Sequence, residues 1–455
     1  MHAARTGRVR RSGCGARPVV VCEPEVRPSS SSGRGGPSFP CRNDTCYLLI
    51  VTISSSVVQG HCEDGFGPVG DLFAGFLNSG REIGASLGVY RGGRPVVEIW
   101  GGHVDRERTR PWERDTVTPI ASISKSLATA AVLLLIERGV IDLERPVAEY
   151  WPDFGQAGKA EIPVHLVLAH RSGLAALDRS VSNDDAVALD TVLRRLERQR
   201  LWWNPGNRHG YHAVTYGYIL SGLVRAVTGR TVGRFFAEEV AAPYQLDLHL
   251  GLPVDQHDRV APMIGPSQGQ AFRSLLNPMW LPYALGVLDR RSVSYHATFG
   301  GSDTGFNDHA ELIRYEVEDA SAGGVGRGIA LARLYAALIG PVDGNQLISA
   351  DLMNTARQPQ ASGRDEVLRM RTDWGLGFQL PGGPMWPSVG IAGLFGHTGA
   401  SGSLAFADAE HELAFGYTPN YWNELSHTGR QPQFRFTALT EAVYAAAGIR
   451  RWPAR

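Results

Sequence analysis

Residues 119–127 read Pro119-Ile120-Ala121-Ser122-Ile123-Ser124-Lys125-Ser126-Leu127 and open a strongly apolar helical pattern. Ser122 and Lys125 are three residues apart, so on a helix their side chains lie on one face and can meet. A proline three residues before Ser122 predicts that this serine lies near a helix N-terminus, where free backbone N–H groups and the helix dipole favour a developing negative charge. The pattern therefore predicts a serine nucleophile next to a lysine base.

Lysine is rare in this chain: of 45 Lys+Arg residues, only Lys125 and Lys159 are lysines. A serine hydroxyl is a poor nucleophile until a neighbouring base takes its proton. Lys125 can be that base only when it is neutral, and burial lowers the pKa of a lysine by up to ~3 to 5 units. The fold is therefore expected to bury Lys125.

Composition excludes several classes of protein. The 455 residues are 43% hydrophobic and 20% charged, which supports a sizeable core. The 45 basic residues are balanced by 45 acidic ones, so the basic excess of a nucleic-acid-binding protein is missing. No run of eighteen apolar residues occurs, so we expect no membrane span. The five cysteines all lie in the first 62 residues. His209 and His212 lack a third ligand nearby, so we expect no metal site. We expect no organic cofactor either.

Two β-hairpin patterns bracket a helical middle. β-rich runs flank Arg91-Gly92-Gly93-Arg94 near the start and Asp408-Ala409-Glu410-His411 near the end. Between them, apolar residues at spacings of three and four predict helices at residues 124–139, 189–199, 215–228 and 328–339. Strands from both ends of a chain bury best in one antiparallel sheet covered by helices. The prediction is an α/β fold of the α+β type, with an inserted, mainly helical subdomain, in one domain over residues 61–455.

Further motifs follow Ser122-Ile123-Ser124-Lys125 in a definite order. They are Glu137-Arg138-Gly139-Val140-Ile141-Asp142-Leu143, Tyr150-Trp151-Pro152, the stretch LVLAHRSGL at residues 166–174, Tyr211-His212-Ala213, and FGHTGASG at residues 395–402. In this order they resemble the serine β-lactamase and penicillin-binding-protein superfamily, on its class C side, and within it the family VIII carboxylesterases. The likeness spans from about His61 to the C-terminus and implies a β-lactamase-like fold.

The resemblance also implies roles for individual residues. Ser122 would be the acylated nucleophile of a serine esterase, and Lys125 and Tyr211 its proton-transfer pair. His397, Thr398 and Gly399 would form one wall of the substrate cleft, and the backbone N–H groups of Ser122 and Ala400 the oxyanion hole. A positively charged Lys125 would favour the phenolate form of Tyr211. The implied partner is a small-molecule ester, and the oligomeric state is left open.

Two positions depart from the β-lactamase pattern. The Y-x-N motif of β-lactamases reads Tyr211-His212-Ala213 here, so the amide that would hold a β-lactam side chain is missing. His397 stands in place of the lysine of K-T-G, and a histidine is at best partly charged near neutral pH. Both changes favour neutral esters. The alternatives are a β-lactamase or D,D-peptidase acting on amides or lactams, and a catalytically silent scaffold with the same fold.

The first 60 residues differ in composition from the rest. They contain an arginine-rich, acid-free start and a Ser-Gly run at residues 29–36, which is typical of disorder. A transit peptide, or a signal segment over the apolar residues 46–53, fits the usual templates poorly. Residues 57–61 resemble the natural beginning of related esterases, and no methionine lies between Met1 and Met263. We therefore expect a disordered tail or a start assigned too early, and a cytoplasmic protein.

Several residues near these motifs have a structural as well as a functional interpretation. Trp202, Trp203 and Trp374 are equally compatible with an acyl pocket and with the core. His170 is interpreted as structural. The acidic run at residues 316–319 lies beside a glycine-rich segment, which is typical of a solvated loop.

Overall fold

The computed structural model of the chain describes residues 57–179, 188–265, 278, 280–299, 315–386, 393–422 and 434–449. The predicted tail lies outside the described residues except at its end. The first strand starts at Val58 and pairs with residues 97–101, so the first described strand already includes residues before the predicted boundary at His61. The extent of the domain otherwise stays a prediction.

Two antiparallel sheets are present in the described part of the chain. The strands are β1 Val58–Cys62, β2 Gly84–Arg91, β3 Arg94–Gly102, β4 Thr118–Pro119, β5 Leu248–His249, β6 Val325–Gly326, β7 Ala361–Arg364, β8 Arg371–Trp374, β9 Gln379–Leu380, β10 Leu394–Thr398, β11 Leu404–Asp408 and β12 Leu413–Pro419. The large sheet has nine strands in the order β1-β3-β2-β12-β11-β10-β9-β8-β7, and the small one has the order β4-β6-β5. Strands from both ends of the chain thus meet in one sheet, where β2 pairs with β12.

Helices cover both faces of the large sheet. They are α1 Gly67–Asn78, α2 Ser124–Glu137, α3 Val147–Tyr150, α4 Val164–Leu168, α5 Leu189–Arg198, α6 Thr215–Thr228, α7 Val232–Phe236, α8 Leu281–Leu288, α9 Val293–Phe299, α10 Gly328–Ile339, α11 Ala350–Ala356 and α12 Phe434–Ala446. Helices α2 to α9 belong to the segment inserted between β3 and the C-terminal strands. No helix in these described ranges is long and apolar enough to cross a membrane.

The two faces of the large sheet differ in side-chain size because neighbouring residues of a strand point to opposite faces. On one face, Val89, Phe406 and Phe415 belong to a core cluster that also contains residues of α1 and α12. On the other face, small residues such as Ala405, Ala407 and Ala414 join a cluster that contains the apolar residues of α2 and α10. The small side chains let α10 approach the sheet closely.

The predicted fold class is confirmed. Both hairpins are present as β2–β3 and β11–β12, and the four predicted helices are α2, α5, α6 and α10, with ends that differ by at most two residues. Helix α2 is buried from Ser124 to Leu135, as expected for a helix that is apolar on every side. This burial decides the environment of Lys125.

The contact between α10 and the sheet gives a prediction about stability. A Cβ added to Gly416 would lie 2.2 Å from the carbonyl oxygen of Gly328, at the start of α10. Gly416→Ala should therefore lower the free energy of unfolding by about 1–3 kcal/mol, the usual cost of overpacking. Gly340→Ala is the matched control, because nothing lies within 4 Å of a Cβ at Gly340. Urea unfolding measures both, and equal midpoints would contradict the close packing.

Candidate active site

Ser122 lies in a tight turn that leads into α2. Residues Ala121–Ile123 form a single 3-10 turn, and Ala121 has a φ of 48°, which is costly for a residue with a side chain. The turn is held from both sides. The Ile120 N–H donates to the Gly324 carbonyl at 2.9 Å, and the Ser403 hydroxyl donates to the Ile120 carbonyl at 3.2 Å. Ser122 itself is only half-buried in this constrained turn.

Lys125 is buried one turn further on, and its amine is hydrogen-bonded to backbone. Its Nζ donates to the Ala213 carbonyl and to the Ser321 carbonyl, both at 2.8 Å. A neutral amine has two N–H groups and one lone pair. The two carbonyls accept the two N–H groups, so the neutral form leaves its lone pair available to accept a proton.

The environment of Lys125 lowers its basicity. Lys125 is fully buried, and burial lowers its pKa from 10.5 to about 7, because the charged form loses its hydration. The carboxylate of Asp319 opposes this effect and raises the pKa. The amine is therefore close to its own titration point at neutral pH.

Tyr211 lies beside Lys125, in the segment before α6. The Lys125 Nζ is 4.8 Å from the centroid of the Tyr211 ring. The Tyr211 ring also stacks on the Trp374 ring, with a centroid distance of 5.3 Å and an angle of 5° between the ring planes. The backbone N–H of Tyr211 donates to both carboxylate oxygens of Asp365, at 3.1 and 3.0 Å. Asp365 is fully buried and also accepts the N–H groups of Val367 and Leu368. Asp365 thus ties Tyr211 to the loop between β7 and β8.

The protonation state of Tyr211 differs from the expectation that Lys125 would favour a phenolate. Burial is the largest influence and raises the pKa of Tyr211 well above its usual value, while the Ser122 hydroxyl lowers the pKa to a smaller extent. The same burial that lowers the pKa of Lys125 to about 7 reduces the positive charge that would have stabilised the phenolate. The Tyr211 hydroxyl faces Ser122 but makes no well-formed hydrogen bond within the described residues. It is a neutral donor directed at the nucleophile.

His397 lies on β10 against the same aromatic group. Its ring centroid is 6.0 Å from that of Tyr211 and 5.7 Å from that of Trp374. The Nδ1–H donates to the Thr398 carbonyl at 2.7 Å, so Nε2 carries no proton and is a hydrogen-bond acceptor. This Nε2 is buried and has no partner among the described residues. Burial, and then the nearby Lys125, lower the pKa of His397 to about 3, so the ring is neutral. The wall has an acceptor where a lysine would place a cation.

The end of β10 approaches the turn that carries Ser122. A Cβ on Gly399 would lie 2.7 Å from the Ile120 carbonyl oxygen, which only a glycine permits. The Gly399 N–H donates to the Ser403 carbonyl at 2.8 Å, and the next residue, Ala400, is exposed. Thr398 donates from its hydroxyl to the Gln379 side chain at 3.0 Å. The fold brings Ala400 close to the nucleophile, and its part in an oxyanion hole stays a prediction.

The histidines near Tyr211 have partners within the protein. His170 accepts the His212 N–H on Nδ1 at 3.2 Å, and its ring packs between Tyr216 and Trp374. His212 donates from Nδ1 to the Gly210 carbonyl and bonds the Ser172 hydroxyl through Nε2, each at 2.6 Å. His209 bonds the Thr372 hydroxyl at 3.1 Å. These rings support the segment that carries Tyr211.

Three residues of the site were not found from the sequence. Asp365 carries no motif, and its role depends on a loop from a distant part of the chain. Asp319 and Ser321 lie in and after the acidic run that was interpreted as a solvated loop. The run is a loop with Glu316 exposed, but Glu318 and Asp319 are half-buried and bond to the protein. Asp319 influences Lys125 and accepts the Ser321 N–H at 2.8 Å, and Glu318 accepts the Gly233 N–H at 2.9 Å. The one available signal was the pair Gly323-Gly324 after them, since a Cβ on Gly324 would lie 2.7 Å from the Ser124 hydroxyl oxygen at the start of α2.

The tryptophans belong to the aromatic cluster around Tyr211. Trp374 is fully buried, whereas Trp202 and Trp203 are half-buried and pack against the same cluster. Trp374 therefore packs the core beneath Tyr211, and the other two lie between that core and solvent.

The chain is similar to known proteins over most of its length. The Beta-lactamase family model matches residues 69–439. The chain is 34% identical to Esterase/beta-lactamase LipL of Mycobacterium tuberculosis over 80% of this chain and 83% of that protein. Among solved structures, a family VIII carboxylesterase is 31% identical, with a TM-score of 0.74, and the match covers 86% of this chain and 99% of that one. A penicillin-binding-protein homolog from Caulobacter crescentus is 31% identical with the same TM-score of 0.74, covering 86% of this chain and 100% of that one.

The site contains a buried lysine one turn from a half-buried serine, and a tyrosine that faces this serine. These features occur in a chain that matches the family model over most of the described residues. The chain belongs to the beta-lactamase family of serine hydrolases, and it resembles the family VIII carboxylesterases within it.

Proposed function

We propose that the protein is a serine esterase that hydrolyses neutral carboxylic esters through an acyl-enzyme on Ser122. The observation that carries the proposal is the state of Lys125. Its amine is buried, donates both of its neutral-form N–H groups to backbone carbonyls and lies one turn from Ser122. A neutral amine with a free lone pair is the base that a serine hydroxyl needs.

Acylation then follows from the roles of the three side chains. Ser122 Oγ attacks the ester carbonyl carbon as its proton moves to Lys125, and the oxyanion that forms accepts backbone N–H groups. The carbon–oxygen bond to the alcohol breaks, and the departing alkoxide takes a proton from the Tyr211 hydroxyl, which is replaced by the proton held on Lys125. Water then attacks the acyl-enzyme with the same pair as base, which releases the acid and restores Ser122.

The cleft wall favours esters over β-lactams. A β-lactam presents a carboxylate, and a cation on the wall would compensate its desolvation. Here the wall carries the neutral His397 ring with its bare Nε2, which would repel a carboxylate. The third residue of the tyrosine motif, Ala213, contributes a carbonyl to Lys125 and no side-chain amide. One relative is named Esterase EstB of Burkholderia gladioli, which supports the same choice, while the name of LipL gives both activities.

Substrate preference tests the function directly. Turnover of p-nitrophenyl butyrate should exceed that of nitrocefin by a factor of about 100 or more, since an uncompensated buried charge costs several kcal/mol. The two chromogenic substrates are compared by kcat/KM on the same preparation. Nitrocefin turnover equal to or above ester turnover would favour the β-lactamase or peptidase alternative.

The three proposed catalytic residues give a second prediction. A fluorophosphonate probe should form a single adduct on Ser122, detected by mass spectrometry, and Ser122→Ala should abolish it. Lys125→Ala and Tyr211→Phe should each lower kcat by about 100-fold or more, as expected for proton-transfer groups. Ser126→Ala and Tyr216→Phe are matched controls, because these buried hydroxyls bond Tyr335 and Thr129 instead. A folded protein that takes no label would favour the silent scaffold.

The pH dependence gives a third prediction. Lys125 is the base only when deprotonated, so kcat/KM for a neutral ester should rise with pH through a pKa of about 7 and level off above it. Asp319 raises the pKa of Lys125, so Asp319→Asn should move this rising limb of the pH profile to lower pH. Tyr211→Phe should keep the limb at the same pH while lowering the rate. A limb near the ordinary pKa of lysine would contradict the lowered pKa, and a rate that does not rise with pH would rule out the neutral amine as base.

A further inference from the structure

Helix α8, Leu281–Leu288, presents an apolar stripe to solvent. Leu281, Leu285 and Leu288 are 50%, 56% and 78% exposed, and they account for three of the five large apolar side chains that are exposed in the described part of the chain. Their spacing of four and three residues places them on one face of the helix. Three adjacent leucines in water are unfavourable, which indicates that this face has an apolar partner.

The opposite face of α8 packs toward the proposed active site. Tyr283, together with the preceding Trp280, contacts the cluster that contains Tyr211 and Trp374. The Tyr283 hydroxyl also bonds Thr298 of α9 at 2.7 Å. The helix therefore has an inner side that borders the site and an outer side that carries the leucine stripe.

A basic groove runs along one flank of the same helix. It has a volume of about 470 Å³ and is lined by Pro282, Gly363, Arg364, Arg369, Met370 and Arg371. A Cβ on Gly286 would lie 2.6 Å from the Arg369 Nε, so this arginine lies against the helix. Pro282 and Gly286 each follow a leucine of the stripe and are about 100° from it around the helix axis. The groove and the stripe are therefore side by side.

The arginines of the groove are only partly neutralised. Arg371 pairs with Asp373 at 3.1 Å. Arg364 and Arg369 have no carboxylate partner among the residues that the structure describes. Two further arginines, Arg290 and Arg291, are exposed directly after the helix, where Asp289 accepts the Arg291 N–H. The flank of the stripe thus carries an excess of positive charge.

We propose that the leucine stripe of α8 and the adjoining arginine groove dock on an anionic lipid surface. The leucines enter the acyl-chain boundary, and the arginines bind headgroup phosphates, which is the arrangement of interfacial amphipathic helices. A twofold dimer through the stripe that places the two arginine grooves side by side would bring like charges together. A small anion in solution would bind the arginines and leave the leucines in water. An anionic lipid surface matches both features, and it places the proposed active site next to the membrane interface.

Vesicle binding by the full chain tests this proposal without relying on catalysis. Co-sedimentation with phosphatidylcholine vesicles that contain phosphatidylglycerol should show binding that weakens with salt, and pure phosphatidylcholine should bind much less. The double variant Leu285→Glu/Leu288→Glu should lower the partition coefficient by about 100-fold or more. Arg364→Gln should lower it by about fivefold. Val254→Glu and Arg94→Gln are matched controls, because Val254 is 71% exposed and Arg94 is exposed on the distant strand β3.

Other outcomes would overturn the proposal. No binding to either vesicle, or equal binding to both, contradicts an anionic lipid partner. A concentration-dependent dimer that the leucine variant abolishes, without vesicle binding, assigns the stripe to a second copy. Saturable binding of inorganic phosphate that needs Arg364, again without vesicle binding, assigns the groove to a free anion. Hydrolysis of soluble p-nitrophenyl butyrate should be equal in all variants, so a failure here is distinct from a failure of the esterase proposal.

Discussion

The burial of the Lys125 amine is the constraint on which the site depends. Two backbone carbonyls, from Ala213 and Ser321, receive its hydrogens, and these residues lie about ninety and two hundred positions away along the chain. A buried polar group without partners would destabilise the fold, so the segments before α6 and before β6 must both reach α2. The same contacts that satisfy the amine therefore assemble the site. The fold thus buries the Lys125 amine and satisfies its hydrogen bonds through the same contacts.

Small residues in the fold let the elements around the site pack closely together. Glycines and alanines on one face of the nine-stranded sheet let α10 pack against it, and Gly399 lets the end of β10 touch the turn before Ser122. The large side chains lie on the opposite face, against α1 and α12. The strained backbone at Ala121 persists because hydrogen bonds hold it from both sides. The nucleophile is thus placed by rigid elements.

Low polarity gives the site its chemical character. Burial lowers the pKa of Lys125 and of His397 and raises that of Tyr211, so the neutral form of each group is more populated than it would be in water. The positive charge of Lys125 also lowers the pKa of His397. An uncharged cleft with one acceptor, one donor and one amine suits a neutral ester. Such a cleft would not compensate the charge of an anionic substrate.

The amino-acid sequence determined the elements and the candidate residues. Hydrophobic periodicity located α6 and α10 with their observed ends, and the S-x-x-K spacing pointed to Ser122 and Lys125, because both signals are local. The tertiary structure alone decided how Asp365 holds Tyr211, how Asp319 acts on Lys125, and that Tyr211 is a neutral phenol. These contacts join distant segments, and their electrostatics depend on burial. A local sequence pattern does not show which distant residue a side chain will contact. It also does not show how far folding will remove that side chain from water.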